Sequence, residues 1–136
     1  MSRIILSRVD FARIKRSISE ARQNKTVSAA ELDRLTNEIE GARIVEPSEI
    51  PADVVTMNSI VSISFPKAKK EVEFQIVYPG EASLKDNKIS ILSPVATALI
   101  GYKEGDEIEW IVPAGLTTIK ISKIIYQPEA AGEFDL

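Results

Sequence analysis

The segment from Lys88 to Trp110, KISILSPVATALIGYKEGDEIEW, constrains the fold of this chain more than any other part of the sequence. Ile89 and Ile91 alternate with polar residues, which is the pattern of a half-buried strand. Ser93 followed by Pro94 is typical of a helix start, with Ser as the N-cap and Pro at the first helical position. The segment therefore predicts a strand, a tight turn and a short helix in close succession.

The sequence also indicates where that helix ends and where the next strand begins. Three apolar residues give the helix one buried face: Ala96, Leu99 and Ile100. Gly101 stands where a C-cap glycine belongs, and Glu104-Gly105-Asp106 has the composition of a turn. Ile108 and Trp110 then alternate with charged residues, which predicts a second strand. No residue of the segment has evident catalytic chemistry, so it indicates binding.

Two residue types are missing from the 136 residues, because the chain has neither His nor Cys. The commonest general base at neutral pH, the commonest metal ligand and every thiol function are therefore excluded. We expect a protein that is not an enzyme and that has no cofactor, metal site or disulfide. No apolar run reaches the length of a membrane-spanning helix, and the N-terminus lacks a secretory leader, so we expect a cytoplasmic protein without membrane contact.

The charges are divided unevenly along the chain. Residues 1–46 carry nine Lys/Arg and seven Asp/Glu, whereas residues 47–136 carry eight and thirteen. A basic first part joined to an acidic body is compatible with reaching toward a negatively charged partner, although a solvated helix face explains the same charges. So acidic a body argues against independent, sequence-specific nucleic-acid binding.

Residues 1–46 predict a short antiparallel helical hairpin of the coiled-coil kind, with two helices of about 16 residues. Ser7 with Asp10 resembles a capping box, and Ser28 with Glu31 forms one. The apolar residues of each helix recur at spacings of three and four: Phe11, Ile14, Ile18 and Ala21, then Leu32, Leu35, Ile39 and Ala42. These narrow stripes favour a projecting hairpin, and the alternative is that both helices lie flat on a core.

Residues 47–136 predict an antiparallel sheet covered by one short helix, an α+β arrangement. Pro47 and Pro51 favour extended backbone at the junction with the hairpin. Alternating residues predict strands at three further places: Val61–Phe65, Val72–Tyr78 and Ile119–Tyr126. The charged stretch Pro66–Lys70 reads as a hairpin loop, and a shift of phase predicts a bulge near Lys123.

The Lys88–Trp110 segment and the late strand ending at Tyr126 resemble the C-terminal domain of the bacterial Gre transcript-cleavage factors. That resemblance implies a fold like that of FK506-binding proteins. Two flanking segments, DVVTMNS at 53–59 and YQPEAAG at 126–132, look like the branch of the family named regulators of nucleoside diphosphate kinase (Rnk). The resemblance covers residues 53–136, and over residues 1–46 it is one of architecture.

The resemblance implies a partner, RNA polymerase. In Gre-type factors the globular domain docks at the rim of the polymerase secondary channel, and the helical hairpin enters that channel. By position, the docking turn is Leu92, Ser93 and Pro94 here, and cleavage factors often have an acidic residue where this chain has Leu92. Helix capping accounts equally well for Ser93 and Pro94, and both roles can hold. We expect a monomer that reaches DNA only through the polymerase complex.

The tip of the hairpin distinguishes a cleavage factor from a regulator that does not cleave. Cleavage factors carry closely spaced carboxylates there, which help to hold a catalytic magnesium ion, and magnesium requires hard oxygen ligands. The tip of this chain, residues 22–28, has no carboxylate and presents Arg22, Asn24 and Lys25. We therefore expect a polymerase-binding regulator that occupies the channel rim without stimulating cleavage.

Two other functions remain open from the sequence. One is a cleavage factor with unconventional acids, chiefly Glu20 and Glu31. The other is a peptidyl-prolyl isomerase, which needs an apolar pocket rich in aromatic side chains. The body could supply that pocket from seven residues: Phe65, Phe74, Tyr78, Tyr102, Trp110, Tyr126 and Phe134. An effect on nucleoside diphosphate kinase, which the branch name suggests, is more simply explained through transcription.

Overall fold

The chain folds into a two-helix hairpin followed by a five-stranded sheet that carries one short helix. The structure is a computed structural model that describes residues 4–66, 69–112 and 115–133, with the backbone alone at 110–112, 115 and 116. Its elements are β1 Ile5–Ser7, α1 Arg8–Asn24, α2 Ala29–Glu40, β2 Arg43–Val45, β3 Ile60–Phe65, β4 Lys70–Val77, β5 Lys88–Ser90, α3 Pro94–Leu99, β6 Glu107–Val112 and β7 Gly115–Tyr126. The α+β fold class is confirmed.

The hairpin forms where the caps and the apolar stripes predict it. Ser7 Oγ accepts a hydrogen bond from the Asp10 N–H (3.0 Å), and Ser28 Oγ accepts one from the Glu31 N–H (3.3 Å). Six seam residues are buried: Ile14, Ile18, Ala21, Leu32, Leu35 and Ile39. The second helix has 12 residues, fewer than the expected 16 or so, because the chain leaves the helix at Gly41 and enters β2.

The large sheet has the order β5-β4-β3-β7-β6. Strands β3, β4, β6 and β7 pair antiparallel, as the alternation predicts. The prediction of an entirely antiparallel sheet is wrong at one edge, because β5 runs parallel to β4. The chain crosses between them through two 3-10 turns, Pro79–Glu81 and Leu84–Asp86. The β3–β7 register shifts beside Lys123, which confirms the predicted bulge.

A second, two-stranded sheet ties the start of the chain to the end of the hairpin. Strands β1 and β2 pair parallel, and the Ile5 N–H also donates to the Gly101 carbonyl (3.1 Å). The buried seam residues of the hairpin and the buried residues of the body belong to one hydrophobic core. The base of the hairpin is therefore packed on the body. In the part of the chain that the structure describes, no helix is both long and apolar enough to cross a membrane.

Candidate functional site

The turn that precedes α3 is held by two side-chain hydrogen bonds and is partly exposed. Ser93 Oγ accepts from the Ala96 N–H (3.3 Å), which confirms the predicted N-cap, and Pro94 occupies the first helical turn. The Ser90 hydroxyl accepts from the Leu92 N–H (3.0 Å) and fixes the preceding residue. Leu92 is only 8% exposed, whereas Ser93 is half-buried and Pro94 is exposed. The surface of the turn is therefore formed by Ser93 and Pro94, with Leu92 anchored beneath them.

Gly101 closes the other end of this segment and brings it against the start of the chain. Its φ is +82°, the left-handed conformation that the C-cap prediction requires. A Cβ added to Gly101 would lie 2.6 Å from Ile4 Cβ. Its N–H donates to the Val55 carbonyl (2.9 Å). Gly101 therefore permits the left-handed backbone conformation and also the close approach of Ile4, which the sequence did not reveal.

The turn after Gly101 forms as its composition predicts, and the flanking segments 53–59 and 126–132 contact each other. Asp106 Oδ2 accepts from the Lys103 N–H (2.9 Å), which fixes the turn before β6. The segment before β3 and the turn after β7 pack together, because Gln127 Nε2 donates to the Val54 carbonyl (2.7 Å) and Thr56 Oγ1 donates to Glu129 Oε1 (2.8 Å). Segments 53–59 and 126–132, which both resemble the Rnk branch, are thus in contact with each other.

The hairpin tip is exposed and carries cationic side chains. Arg22, Asn24 and Lys25 are all exposed, and Lys25 adopts the left-handed conformation (φ 52°) that ends α1. Arg22 Nη2 lies 2.6 Å from Asp33 Oδ1. The Asp33 carboxylate of α2 is therefore paired with a cation of the tip. Among the residues with described side chains, no group of three or more His, Cys, Asp or Glu could hold a metal ion.

Asp10 is a buried carboxylate at the base of the hairpin that the sequence assigned only to helix capping. It is 5% exposed. Asp10 Oδ2 accepts from the Met57 N–H (3.2 Å), and Asp10 Oδ1 accepts from the Tyr78 hydroxyl (3.4 Å). A signal did exist, since Asp10 precedes Ile14 by four residues and so lies on the buried stripe of α1.

The environment of Asp10 raises its pKa to about 7. Burial is the largest cause, because it disfavours the charged form, and the nearby Glu129 carboxylate acts in the same direction. The hydrogen bonds from Met57 and Tyr78 and the charge of Arg13 oppose this rise. Burial, followed by the charge of Asp10, also raises the pKa of Tyr78. The base of the hairpin therefore contains a carboxyl group that changes charge near neutral pH.

A second carboxyl group with a raised pKa lies on the other helix. Glu38 is on α2, and Tyr102 of the body follows α3. Burial raises the pKa of Glu38, and its interaction with Tyr102 opposes that rise. Burial first and Glu38 second raise the pKa of Tyr102. Each helix of the hairpin thus has one carboxyl group whose pKa is raised by burial.

The aromatic residues proposed for an isomerase pocket are spread over separate regions. Phe74 is buried in the core. Tyr78 and Tyr102 lie at the base of the hairpin, as described above. Tyr126 donates to Glu133 Oε1 (2.6 Å), which is the main cause of a pKa raised to about 12. Phe65 packs half-buried against the core, and two expected members, the Trp110 side chain and Phe134, lie outside the described residues.

Comparison with known proteins identifies the family. Residues 48–126 match the family described as "Transcription elongation factor, GreA/GreB, C-term", which is more than half of the chain. The chain belongs to the GreA/GreB family. The GreA/GreB resemblance, including its Rnk branch, is confirmed.

Individual GreA/GreB relatives agree with this membership. The chain is 37% identical to "Regulator of nucleoside diphosphate kinase" of Escherichia coli K12 over 103 residues, which is 75% of this chain and 76% of that protein. It is 39% identical to "Transcription elongation factor GreA" of Clostridium acetobutylicum over 105 residues, which is 77% of this chain and 66% of that protein. The solved structure of a GreA/GreB transcription elongation factor from Nitrosomonas europaea superposes with a TM-score of 0.72 at 36% identity, covering 93% of this chain and all of that one.

Proposed function

We propose that this protein is a transcription regulator that binds RNA polymerase at the rim of the secondary channel and does not stimulate transcript cleavage. The observation that carries the proposal is the hairpin tip, where Arg22 and Lys25 are exposed and residues 22–28 contain no carboxylate. Membership of the GreA/GreB family supports the class of partner. We further propose that the protein acts as a monomer, without a cofactor, in the cytoplasm.

The docking part of the proposal rests on the Ser93–Pro94 turn. Its backbone is held by the N-cap and by the Ser90 hydroxyl, so little conformational freedom would be lost on binding. Pro94 is exposed and Leu92 supports it from the core. A rigid, exposed turn of this kind is suited to a contact that holds the rest of the molecule at the channel.

The proposal that the protein does not stimulate cleavage rests on the chemistry of magnesium. The ion binds carboxylate and carbonyl oxygens, and a guanidinium or ammonium group repels it. At the tip, Arg22 already engages Asp33, and Lys25 adds a further positive charge. We therefore propose that the hairpin blocks or modulates the channel and that the protein is not an enzyme. Any effect on nucleoside diphosphate kinase would act through transcription.

A second candidate, a cleavage factor, is favoured by the 39% identity to a protein named transcription elongation factor GreA. Its acids would be Glu20 and Glu31, which are both exposed. They lie on different helices and outside the tip segment. Ser28 Oγ accepts from the backbone N–H of Glu31, so this cap does not occupy the Glu31 carboxylate.

The docking proposal is tested by capture of purified core RNA polymerase on the immobilised protein. Pro94→Glu places a charge on the proposed contact, and an acid is well tolerated in the first turn of a helix, so α3 should persist. We expect the variant to lose at least about tenfold in affinity, or about 1.4 kcal/mol. The matched control is Pro51→Glu, another exposed proline of the body, which should bind as the unmodified protein does. Absence of binding, or equal binding by Pro94→Glu, refutes the docking site.

A further inference from the structure

A cleft, here termed the junction cleft, lies where the hairpin meets the body, between α1 and the loop that follows β4. Four residues of α1 line it, Arg13, Arg16, Ser17 and Glu20, and the loop contributes residues 78–80. Its volume is about 340 Å³, within the range of small-molecule sites, which are common at the boundary between two parts of a protein. Its described lining residues belong neither to the turn before α3 nor to the hairpin tip.

The α1 wall of the junction cleft is cationic. Its four residues recur at i, i+3, i+4 and i+7 from Arg13, so they share one flank of the helix. Arg13, Arg16 and Glu20 are exposed, and Ser17 is half-buried. Among the residues that the structure describes, no ion pair involves Arg16. The wall therefore offers two guanidinium groups and a hydroxyl group against one carboxylate.

The loop wall of the junction cleft is open beside Gly80. Gly80 is exposed, and a Cβ added to it would meet nothing within 4 Å. Pro79 begins the 3-10 turn Pro79–Glu81, and its ring restricts the backbone of this wall. The Tyr78 hydroxyl donates to Asp10 Oδ1 (3.4 Å), so its proton is already engaged by the hairpin. A ligand in the cleft would therefore find room beside the loop and its polar partners on α1.

We propose that the junction cleft binds a small molecule that carries one phosphate group, with Arg13 and Arg16 binding the phosphate. The planar fork of a guanidinium matches two oxygens of a phosphate, and the Ser17 hydroxyl can donate to a third. Glu20 lies one turn beyond Arg16, where it can accept from a hydroxyl or amino group of the ligand and would repel a second anionic group. Sugar phosphates and mononucleotides have this combination of groups. The proposal goes beyond the proposed function and does not depend on binding to RNA polymerase.

A longer polyanion such as a nucleic acid fits the surroundings of the junction cleft less well. Glu20 is exposed on the tip side of the cleft, and α2 exposes three further acids, Glu31, Asp33 and Glu40. A nucleic acid presents a phosphate at every nucleotide and gains affinity from contacts along a basic surface. These acids interrupt such a surface, whereas a ligand with a single phosphate avoids them.

Titration of the isotope-labelled protein with adenosine monophosphate, followed by NMR, tests the site. Adenosine is the matched ligand without the phosphate. We expect saturable changes in the amide resonances of Ser17 and Gly80, with a dissociation constant at or below about 1 mM. Adenosine at the same concentrations should leave these resonances unchanged. Changes that do not saturate, or that adenosine also produces, overturn the proposal.

Two arginine variants test whether the phosphate binds in the cleft. Arg16→Gln removes one phosphate contact and should lower the affinity for adenosine monophosphate at least about tenfold, because hydrogen bonds between charged groups are the stronger kind. The control is Arg34→Gln, which removes the same charge from an exposed position on α2 and should bind as the unmodified protein does. Equal affinities of these two variants overturn the proposal.

Gly80→Glu tests the loop wall, since its Cβ has open space and its carboxylate would repel the phosphate. The control is Gly41→Glu, which adds the same charge outside the cleft, where the nearest atoms to an added Cβ are two carbonyl oxygens at 3.9 Å. Binding by Gly80→Glu that is as tight as binding by Gly41→Glu overturns the proposal. Tighter binding of a single-stranded oligonucleotide than of adenosine monophosphate also overturns it. If the spectrum of either glutamate variant is that of an unfolded protein, the comparison of Arg16→Gln with Arg34→Gln decides.

Discussion

The two ends of the hairpin use charge in opposite ways, although the same two helices form both. At the base, Asp10 is buried and accepts a hydrogen bond from Tyr78, and Glu38 is partly buried. At the tip, Arg22 and Lys25 are exposed to solvent, and the nearby Asp33 is engaged by Arg22. The buried carboxylate of the hairpin thus lies at its attachment to the body, and the exposed end carries cationic side chains.

The base and the tip of the hairpin are therefore stabilised by different kinds of interaction. The base shares a hydrophobic core with the body, and long-range hydrogen bonds such as that of Asp10 with the Met57 N–H join the two. At the tip, residues 22–26 are exposed, and so is the ion pair of Arg22 with Asp33. Substitutions at the base should therefore affect stability more than comparable substitutions at the tip.

The largest effect is expected for Gly101→Ala, at the contact between the body and β1. A Cβ there would meet Ile4 Cβ at 2.6 Å, and the φ of +82° strains any side chain, so we expect a loss of about 2–4 kcal/mol in the free energy of unfolding. Gly80→Ala is the control, since a Cβ there meets nothing within 4 Å and should change stability by less than about 1 kcal/mol. Urea unfolding measures both, and similar values would contradict the close contact.

The two serine caps give the most direct comparison of base and tip. Ser7 is buried and Ser28 is exposed, yet each accepts from the N–H three residues later. We expect Ser7→Ala to lose about 1–2 kcal/mol, because a buried N–H is left without an acceptor. Water can replace the hydroxyl at Ser28, so Ser28→Ala should lose about 0.5–1 kcal/mol. If chemical unfolding shows that Ser28→Ala loses as much free energy of unfolding as Ser7→Ala, or more, the two ends do not differ in this way.

At the tip, one substitution should increase stability. Lys25 has a φ of 52° at the C-cap of α1, a position that favours glycine. We expect Lys25→Gly to raise the free energy of unfolding by about 0.5–1 kcal/mol. Gln23→Gly, inside the last turn of the same helix, should lower it by about 1 kcal/mol. The midpoints of thermal unfolding compare the two, and destabilisation by Lys25→Gly would indicate that its side chain matters to the tip.

The smallest effect is expected for Arg22→Ala. Its ion pair with Asp33 is short, but both side chains are largely exposed, so solvent screens the attraction. We expect a change of less than about 0.5 kcal/mol in the free energy of unfolding. Arg8→Ala, which removes an equally exposed pair with Glu46, should behave alike. A loss above about 1 kcal/mol for Arg22→Ala alone would contradict the screening of this ion pair by solvent.

Much of the fold could be predicted because its signals are local. The caps at Ser7, Ser28 and Ser93 are read from residues three positions apart, and the structure has all three. The seams and the strand alternation follow from the periods of helix and strand, within a few turns of chain. Gly101 likewise could be recognised from its place at the end of an apolar helix face.

What could not be predicted depends on residues far apart in sequence. Three such contacts are the pairing of β1 with β2, the parallel pairing of β5 with β4 and the contact of Ile4 with Gly101. The sequence of one segment does not indicate which other segment it contacts. The same holds for the base of the hairpin, where Asp10 meets Met57, 47 residues along the chain. Within the turn before α3, adjacency in sequence could not show that Leu92 is buried while Pro94 is exposed.

A cleavage assay on a stalled elongation complex tests the central claim most directly. Purified protein is added to the complex with magnesium, and both retention on the polymerase and RNA length are followed. We predict that the protein binds, that the RNA keeps its length, and that cleavage by an added cleavage-competent GreA factor is reduced through competition. Shortening of the RNA by this protein alone, abolished in Glu20→Gln or Glu31→Gln, would contradict the account and identify a cleavage factor.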